Sequence, residues 1–190
     1  FSKVSGNSRA NAANPNNLST GNGTRLYCQV NTNRPLFTSS NTSWYTRNTT
    51  NTVAFGPVDI TNENGVYISF NLAAFSTATG TDFGNADYVE LQVLKPGTSG
   101  SNDSDWSSEL RVRGNDDFSN ENTRYSFDVG TTAETTYDGD GTYSPFQNGN
   151  GVDNKYSKIK LNIPGTSGID NLIFRIVAYN TSNQKLWLID

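Results

Sequence analysis

The chain contains no histidine and no methionine, and it has a single cysteine, Cys28. Without histidine, imidazole acid–base chemistry, histidine-ligated metals and the Ser-His-Asp arrangement are excluded. A lone cysteine cannot form an internal disulfide, and on a strand-like segment Cys28 reads as a small apolar filler. Charge is sparse as well: 17% of residues are ionisable, with a net charge of −4 and no basic run. Nucleic-acid affinity rests on Lys and Arg neutralising phosphates, so that class of partner is not expected. No apolar stretch approaches the length of a membrane span, and helical periodicity is nearly absent. Because the sequence opens on Phe1 with no methionine, it reads as a mature or excised end from which any signal peptide is already gone.

What is present points to β structure. The hydrophobic fraction is only 33%, but aromatics make up 12%, enough to fill a thin core. Asn is roughly one residue in seven, and Ser, Thr and Gly are abundant, the composition of short strands joined by polar turns. Residues 1–24 read as an extended arm or edge segment and residues 25–190 as one β-sandwich domain. Gly65–Phe75 alternates, with Val66, Ile68, Phe70 and Leu72 on one side and Tyr67, Ser69 and Asn71 on the other. Asp87–Lys95 alternates too, placing Val89, Leu91 and Val93 inward and Tyr88, Glu90 and Gln92 outward. Further strands are expected at 25–30, 109–113, 123–129 and 156–163, and at Thr52–Ile60, bulged or at an edge because of Gly56-Pro57. Residues 31–51 and 130–155 read as long polar loops. About nine or ten short strands without helices predict a two-sheet antiparallel β-sandwich. The final twenty residues read as an unfinished hairpin: Leu172–Tyr179, a polar turn, then Lys185–Asp190, whose apolar strand stops with an open edge.

Several stretches together resemble a family of jelly-roll-like modules found in secreted, type IX-exported surface proteins of Bacteroidota. They are Phe1-Ser2-Lys3-Val4-Ser5-Gly6 with Leu18-Ser19-Thr20-Gly21; Val66–Phe75 leading to Asp87–Val93; Trp106-Ser107-Ser108-Glu109-Leu110-Arg111-Val112-Arg113-Gly114-Asn115 followed by Tyr125-Ser126-Phe127; and Ile163-Pro164 with Asn171–Asp190. In such modules the last strand continues past an Ile-Asp-Asp segment, and another strand often precedes the Phe-Ser opening; this chain departs at both ends. The resemblance implies a jelly-roll fold and a non-catalytic accessory or adhesive role, and it supplies no catalytic set.

The residues themselves offer three candidate sites. Asp138-Gly139-Asp140-Gly141, with Asp153 further along, places hard oxygen ligands at alternating positions in a Gly-rich stretch, which suits calcium; the plain alternative is an Asp-Gly turn. Trp44, Tyr45 and Trp106 read as lying in polar loops rather than strands, where they either offer flat platforms for sugar rings or cap the ends of the sandwich. Asp82, Asp87 and Glu90 read as solvated loop and outer-face polarity. Paired carboxylates at Asp103, Asp105, Asp116 and Asp117 could in principle hydrolyse a glycosidic bond, but they lack a rigid strand-borne partner. Asn-x-Ser/Thr sequons, among them Asn102 and Asn180, arise readily by chance in so Asn- and Thr-rich a chain.

The expectation is therefore a non-enzymatic extracellular β-sandwich for adhesion, glycan binding or anchoring within a larger surface protein, meeting a glycan or protein surface. The alternative is a filament subunit in which a neighbouring domain or identical subunit pairs with the edge strand 186–190 or the arm 1–24. A glycan-active hydrolase comes third.

Overall fold

The computed structural model describes residues 3–4, 23–28, 42–47, 50–76, 84, 86–114, 124–125, 132–146, 151–152, 157–182 and 185–189. Side chains are described at 50–72, 84, 86–114, 132–143, 158–182, 185, 187 and 189. Among these residues lie fourteen strands and one 3-10 turn at Asp103–Asp105. In chain order the strands are β1 (Lys3–Val4), β2 (Gly23–Cys28), β3 (Thr42–Arg47), β4 (Thr50–Asp59), β5 (Gly65–Ser76), β6 (Tyr88–Leu94) and β7 (Trp106–Arg113). They continue as β8 (Arg124–Tyr125), β9 (Thr132–Thr136), β10 (Ser144–Phe146), β11 (Gly151–Val152), β12 (Ser157–Pro164), β13 (Asn171–Tyr179) and β14 (Lys185–Ile189).

Two six-stranded sheets form the sandwich. The first runs β1-β4-β13-β6-β7-β10 and the second β2-β3-β14-β5-β12-β9, while β8 and β11 make a small separate pair. From β3 onward the chain changes sheet at almost every step, the winding of a jelly roll. Pairing is antiparallel except that β10 runs parallel to β7 and β9 parallel to β12. One continuous apolar cluster joins the sheets: Val89, Leu91, Val93, Leu110, Val112 and Ile176 from the first meet Ile68, Leu72, Ile159, Leu161 and Trp187 from the second. The alternation expected at 65–75 and 87–95 is what builds the facing walls of this core.

Two sequence expectations are corrected. The final segment is not a hairpin: β13 pairs with β4 and β6 in the first sheet, whereas β14 pairs with β3 and β5 in the second. The polar turn between them is an arch across the sandwich, and β14 is an interior strand with no open edge. A nearly unbroken apolar run such as Leu186-Trp187-Leu188-Ile189 suits an interior strand better than an edge. Residues 31–51 and 130–155 are not simply loops, since the first contains β3 and the second contains β9, β10 and β11. Their signal was weak because Thr132-Ala133-Glu134-Thr135-Thr136 buries only Ala133 and Tyr137 follows outside the strand. Lys3 and Val4 of the expected arm pair with Phe55 and Ala54 of β4.

The Gly56-Pro57 prediction of a bulged strand is met. Between Leu172 and Phe174 the pairing partner steps from Val58 to Phe55, so β4 carries an extra residue there. Gly56 has φ +109, and a Cβ on it would stand 2.4 Å from the Leu172 carbonyl oxygen, so only glycine fits.

Candidate functional site: the outer face of the first sheet

The two solvent-side faces of the sandwich are built differently. On the second sheet, Tyr67, Ser69, Lys158 and Glu134 are exposed, with Tyr67 at 62%. Glu134 takes hydrogen bonds from Lys160 (2.8 Å) and Asn162 (2.6 Å), which hold its carboxyl below the ordinary glutamate range. That is a solvated sheet face.

The first sheet instead carries a lattice of interlocked side chains. The registers set Tyr179, Tyr88 and Arg113 in one row across β13, β6 and β7; Val177, Glu90 and Arg111 in the next; Arg175, Gln92 and Ser108 in a third; and Leu94 beside Trp106 in a fourth. Glu90 points to the solvent side yet is only 2% exposed. Its carboxylate accepts from the Gln92 amide, the Ser108 hydroxyl and the Arg111 guanidinium. Gln92 in turn accepts from Arg175, whose other nitrogen pairs with Asp103 at 2.9 Å. The guanidinium of Arg111 lies over the rings of Tyr88 (4.5 Å) and Tyr143 (4.0 Å), and Arg113 donates to the Tyr143 hydroxyl. Burial pushes the Tyr88 hydroxyl pKa up, with the Arg111 charge acting against it. A buried carboxylate is tolerated only where charged and neutral donors replace its water, and here all three donors come from neighbouring positions on the sheet.

Trp106 anchors one end of this lattice. It is the first residue of β7 and half-buried, with its indole N–H donating to the Gly100 carbonyl (3.2 Å) and the Arg175 guanidinium 4.3 Å from its ring. Leu94, its register partner, also lines a cleft of about 280 Å³, walled by Leu94–Thr98 on one side and Gly168–Asn171 with Ile173 on the other; Trp106 itself does not line it. Trp44 and Tyr45 do not join this site. Contrary to the loop expectation they lie on β3, opposite Ile189 and Leu188 in register, and their side chains fall outside the described residues. The expectation that Asp87 and Glu90 are solvated is also corrected, since they are 0% and 2% exposed. Asp82, Asp116 and Asp117 fall outside the described residues, and Asp105 serves its own turn, accepting the Asn102 amide at 3.2 Å.

The Asp138–Asp140 loop lies by β7 and is organised by its own turns. Asp138 accepts the Asp140 amide (3.0 Å) and Asp140 accepts the Thr142 amide (2.6 Å). Gly139 adopts φ +73, and a Cβ there would meet the Tyr137 hydroxyl at 2.9 Å. Asp153 lies outside the described residues, and among the described residues no group of three or more His, Cys, Asp or Glu side chains is placed to hold a metal ion. Beneath the loop is a carboxylate that sequence reasoning missed. Glu109 is the extra residue of a bulge in β7, where the β6 partners step from Leu91↔Leu110 to Gln92↔Ser108. It is 2% exposed, accepts the Asp138 amide at 3.3 Å, and leaves Oε1 buried with no hydrogen-bond partner.

Burial pushes the Glu109 carboxyl pKa up, while the nearby Ser107 hydroxyl and the Asp138 amide pull it down. A raised folded-state pKa means that Glu109 binds its proton more tightly folded than unfolded. Its contribution to stability is full below the ordinary glutamate range and is lost as pH rises through the folded value. Urea unfolding across about pH 5 to 8 should therefore show stability falling with pH. Glu109→Gln should flatten that fall, and an unchanged slope in the variant would assign it elsewhere.

No family model matches the chain, and comparison with curated proteins likewise finds no match. Functional inference therefore rests on the geometry of the lattice.

Proposed function

We propose that this chain is a non-catalytic β-sandwich module of a secreted, cell-surface protein, and that it holds a saccharide against the outer face of its first sheet. The observation that carries this reading is the fully bonded Glu90 on a solvent-side face. Such a lattice adds nothing to the apolar core, and ordinary solvation is achieved on the opposite face by exposed Lys, Ser and Tyr. What it supplies is a cross-braced surface of aromatic rings, guanidinium groups and amides. Sugars are recognised by that combination, with rings against C–H faces and fixed polar groups on hydroxyls. The cleft between Leu94–Thr98 and Gly168–Asn171 gives the surface a place for a projecting sugar unit.

A binding role also fits the state of the carboxylates. Glu90 is fully engaged by its three donors and Asp105 accepts within its own turn, so both carboxylates serve the lattice and its flanking turn. The filament alternative drew on an open edge at 186–190, and β3 and β5 occupy both sides of that strand. No helix among the described residues is long and apolar enough to cross a membrane.

A glycan array followed by calorimetry tests the reading. Trp106→Ala should weaken the best ligand about tenfold, equivalent to ~1.4 kcal/mol, whereas Tyr67→Ala on the opposite face should leave affinity unchanged. Retention of no glycan, or equal losses from the two substitutions, would overturn it.

A further inference from the structure

Resting on the saccharide-binding reading above, we infer that the ligand is an anionic polysaccharide, one whose sugar rings carry carboxylate or sulfate groups, and that Arg111 and Arg175 receive those oxyanions. The charges on the lattice are three guanidiniums, Arg111, Arg113 and Arg175, against two carboxylates, Glu90 and Asp103. The two carboxylates are not equivalent. Glu90 is sealed beneath its donors, so a ligand arriving from solvent meets the guanidinium of Arg111, 23% exposed, and not the acid under it. Asp103 is 96% exposed on a surface turn, and a pair with so open a partner contributes little stability. An oxyanion on the ligand can take its place on Arg175.

The guanidinium groups are also pre-organised. Arg111 is held between two tyrosine rings and Arg175 over Trp106, which fixes the plane each presents. A guanidinium offers five N–H donors, more than one carboxylate accepts, and its fork matches a carboxylate or sulfate edge in a way that a lysine cannot. Nothing long-range assists, because the chain carries a net charge of −4 and repels a polyanion at a distance. Capture of an anionic glycan by this protein must come from local placement. The spacing suits a polymer: strands sit about 4.8 Å apart, so an extended chain can cross from Arg175 on β13 to Gln92 on β6 in one row and then turn along β7 past Arg111 and Arg113.

Two matched pairs of polymers provide the test: polygalacturonate with its fully methyl-esterified form, and dextran sulfate with dextran. Each pair shares one sugar backbone, and one member carries the oxyanion that the other lacks. Binding should be at least tenfold tighter to the charged member of one pair, and the pair that responds identifies the oxyanion. Arg111→Lys keeps the charge and loses the fork, and it should forfeit about tenfold in affinity for that polymer. Because Arg111 also holds Glu90, the variant is read only alongside Asp103→Asn, an exposed change that leaves the fold intact. Asp103→Asn should tighten binding severalfold by removing the competing carboxylate from Arg175. Equal affinity for charged and neutral members would overturn the inference while leaving the saccharide reading in place. Binding of a charged member that Asp103→Asn does not change and Arg111→Lys does not weaken would overturn it as well. Failure of all four polymers to bind, with a neutral glycan captured on the array, would again overturn only the inference; failure of every glycan would overturn both.

Discussion

Asp87→Ala should destabilise the fold by about 3–5 kcal/mol, the range for removing one partner of a buried ion pair. Asp87 is completely buried at the entry to β6, and both of its carboxylate oxygens are occupied. Oδ1 accepts the Thr181 amide (2.6 Å) and hydroxyl (2.9 Å), while Oδ2 accepts Lys185 Nζ (2.7 Å) and the Gly84 amide (2.8 Å). Lys185 begins β14 in one sheet, and Thr181 follows β13 in the other. The carboxylate thus pins the arch by which the chain leaves the first sheet and enters the middle of the second. Buried Asn180 secures the same turn by donating to the Lys185 carbonyl at 2.8 Å, so its sequon lies in packed structure. With alanine at position 87 the ammonium remains buried beside Thr181 with its counter-ion gone. Adding Lys185→Met should recover part of the loss, since the uncompensated charge is then removed too. Guanidinium-chloride unfolding gives the number, provided the slope with denaturant is the same in all variants. A loss below about 1 kcal/mol for Asp87→Ala, the scale of a surface pair, would show that the arch is held by packing alone.

The alternation of Val66–Leu72 and Val89–Val93 made both walls of the core legible in the sequence, because each strand has one dry face and a two-residue period records it directly. Pairing order was not legible. β13 lies between β4 and β6, and β14 between β3 and β5, through contacts 81 to 145 residues apart that no local pattern encodes. The parallel strands β9 and β10 were hidden for a related reason: each is held by one neighbour along one edge, so little apolar surface is demanded of it.

The candidate site was legible only in fragments. Tyr88, Glu90 and Gln92 were readable as outward-facing, but outward-facing was taken to mean solvated. Whether such a residue is wet depends on what the next strand places beside it, and Arg111 opposite Glu90 turns a surface acid into a buried one. Trp106 was singled out as a polar-segment aromatic, yet its partner Arg175 is 69 positions away on a strand that first had to be placed two strands over. Tyr143 and Glu109 gave no signal at all. One comes from a segment with no apolar rhythm, and the other owes its position to a bulge that shifts register by one residue.

Trp187→Ala should cost about 3–5 kcal/mol, as expected for the loss of a large aromatic from a packed core. Trp187 is 0% exposed and heads the largest fully buried side chains. It stands between Ala74 of β5 and Thr46 of β3, so truncation opens a cavity walled on both flanks and not a notch at a rim. Its indole N–H donates to the carbonyl of Tyr179 at 2.9 Å, the last residue of β13 in the facing sheet. Trp187→Phe separates the two contributions: it keeps most of the ring volume but removes the N–H donor to that carbonyl, a loss of about 0.5–1.5 kcal/mol. An apolar strand at an open edge would behave differently. There the side chain would be backed on one flank only, the site could collapse or admit water, and truncation would cost nearer 1 kcal/mol, as surface substitutions do. Thermal or denaturant unfolding of the alanine variant therefore decides whether the chain's final strand is interior or terminal to its sheet. A loss of 3 kcal/mol or more requires β3 and β5 on its two sides, and a loss near 1 kcal/mol would restore the open edge and with it the case for pairing with a neighbouring chain.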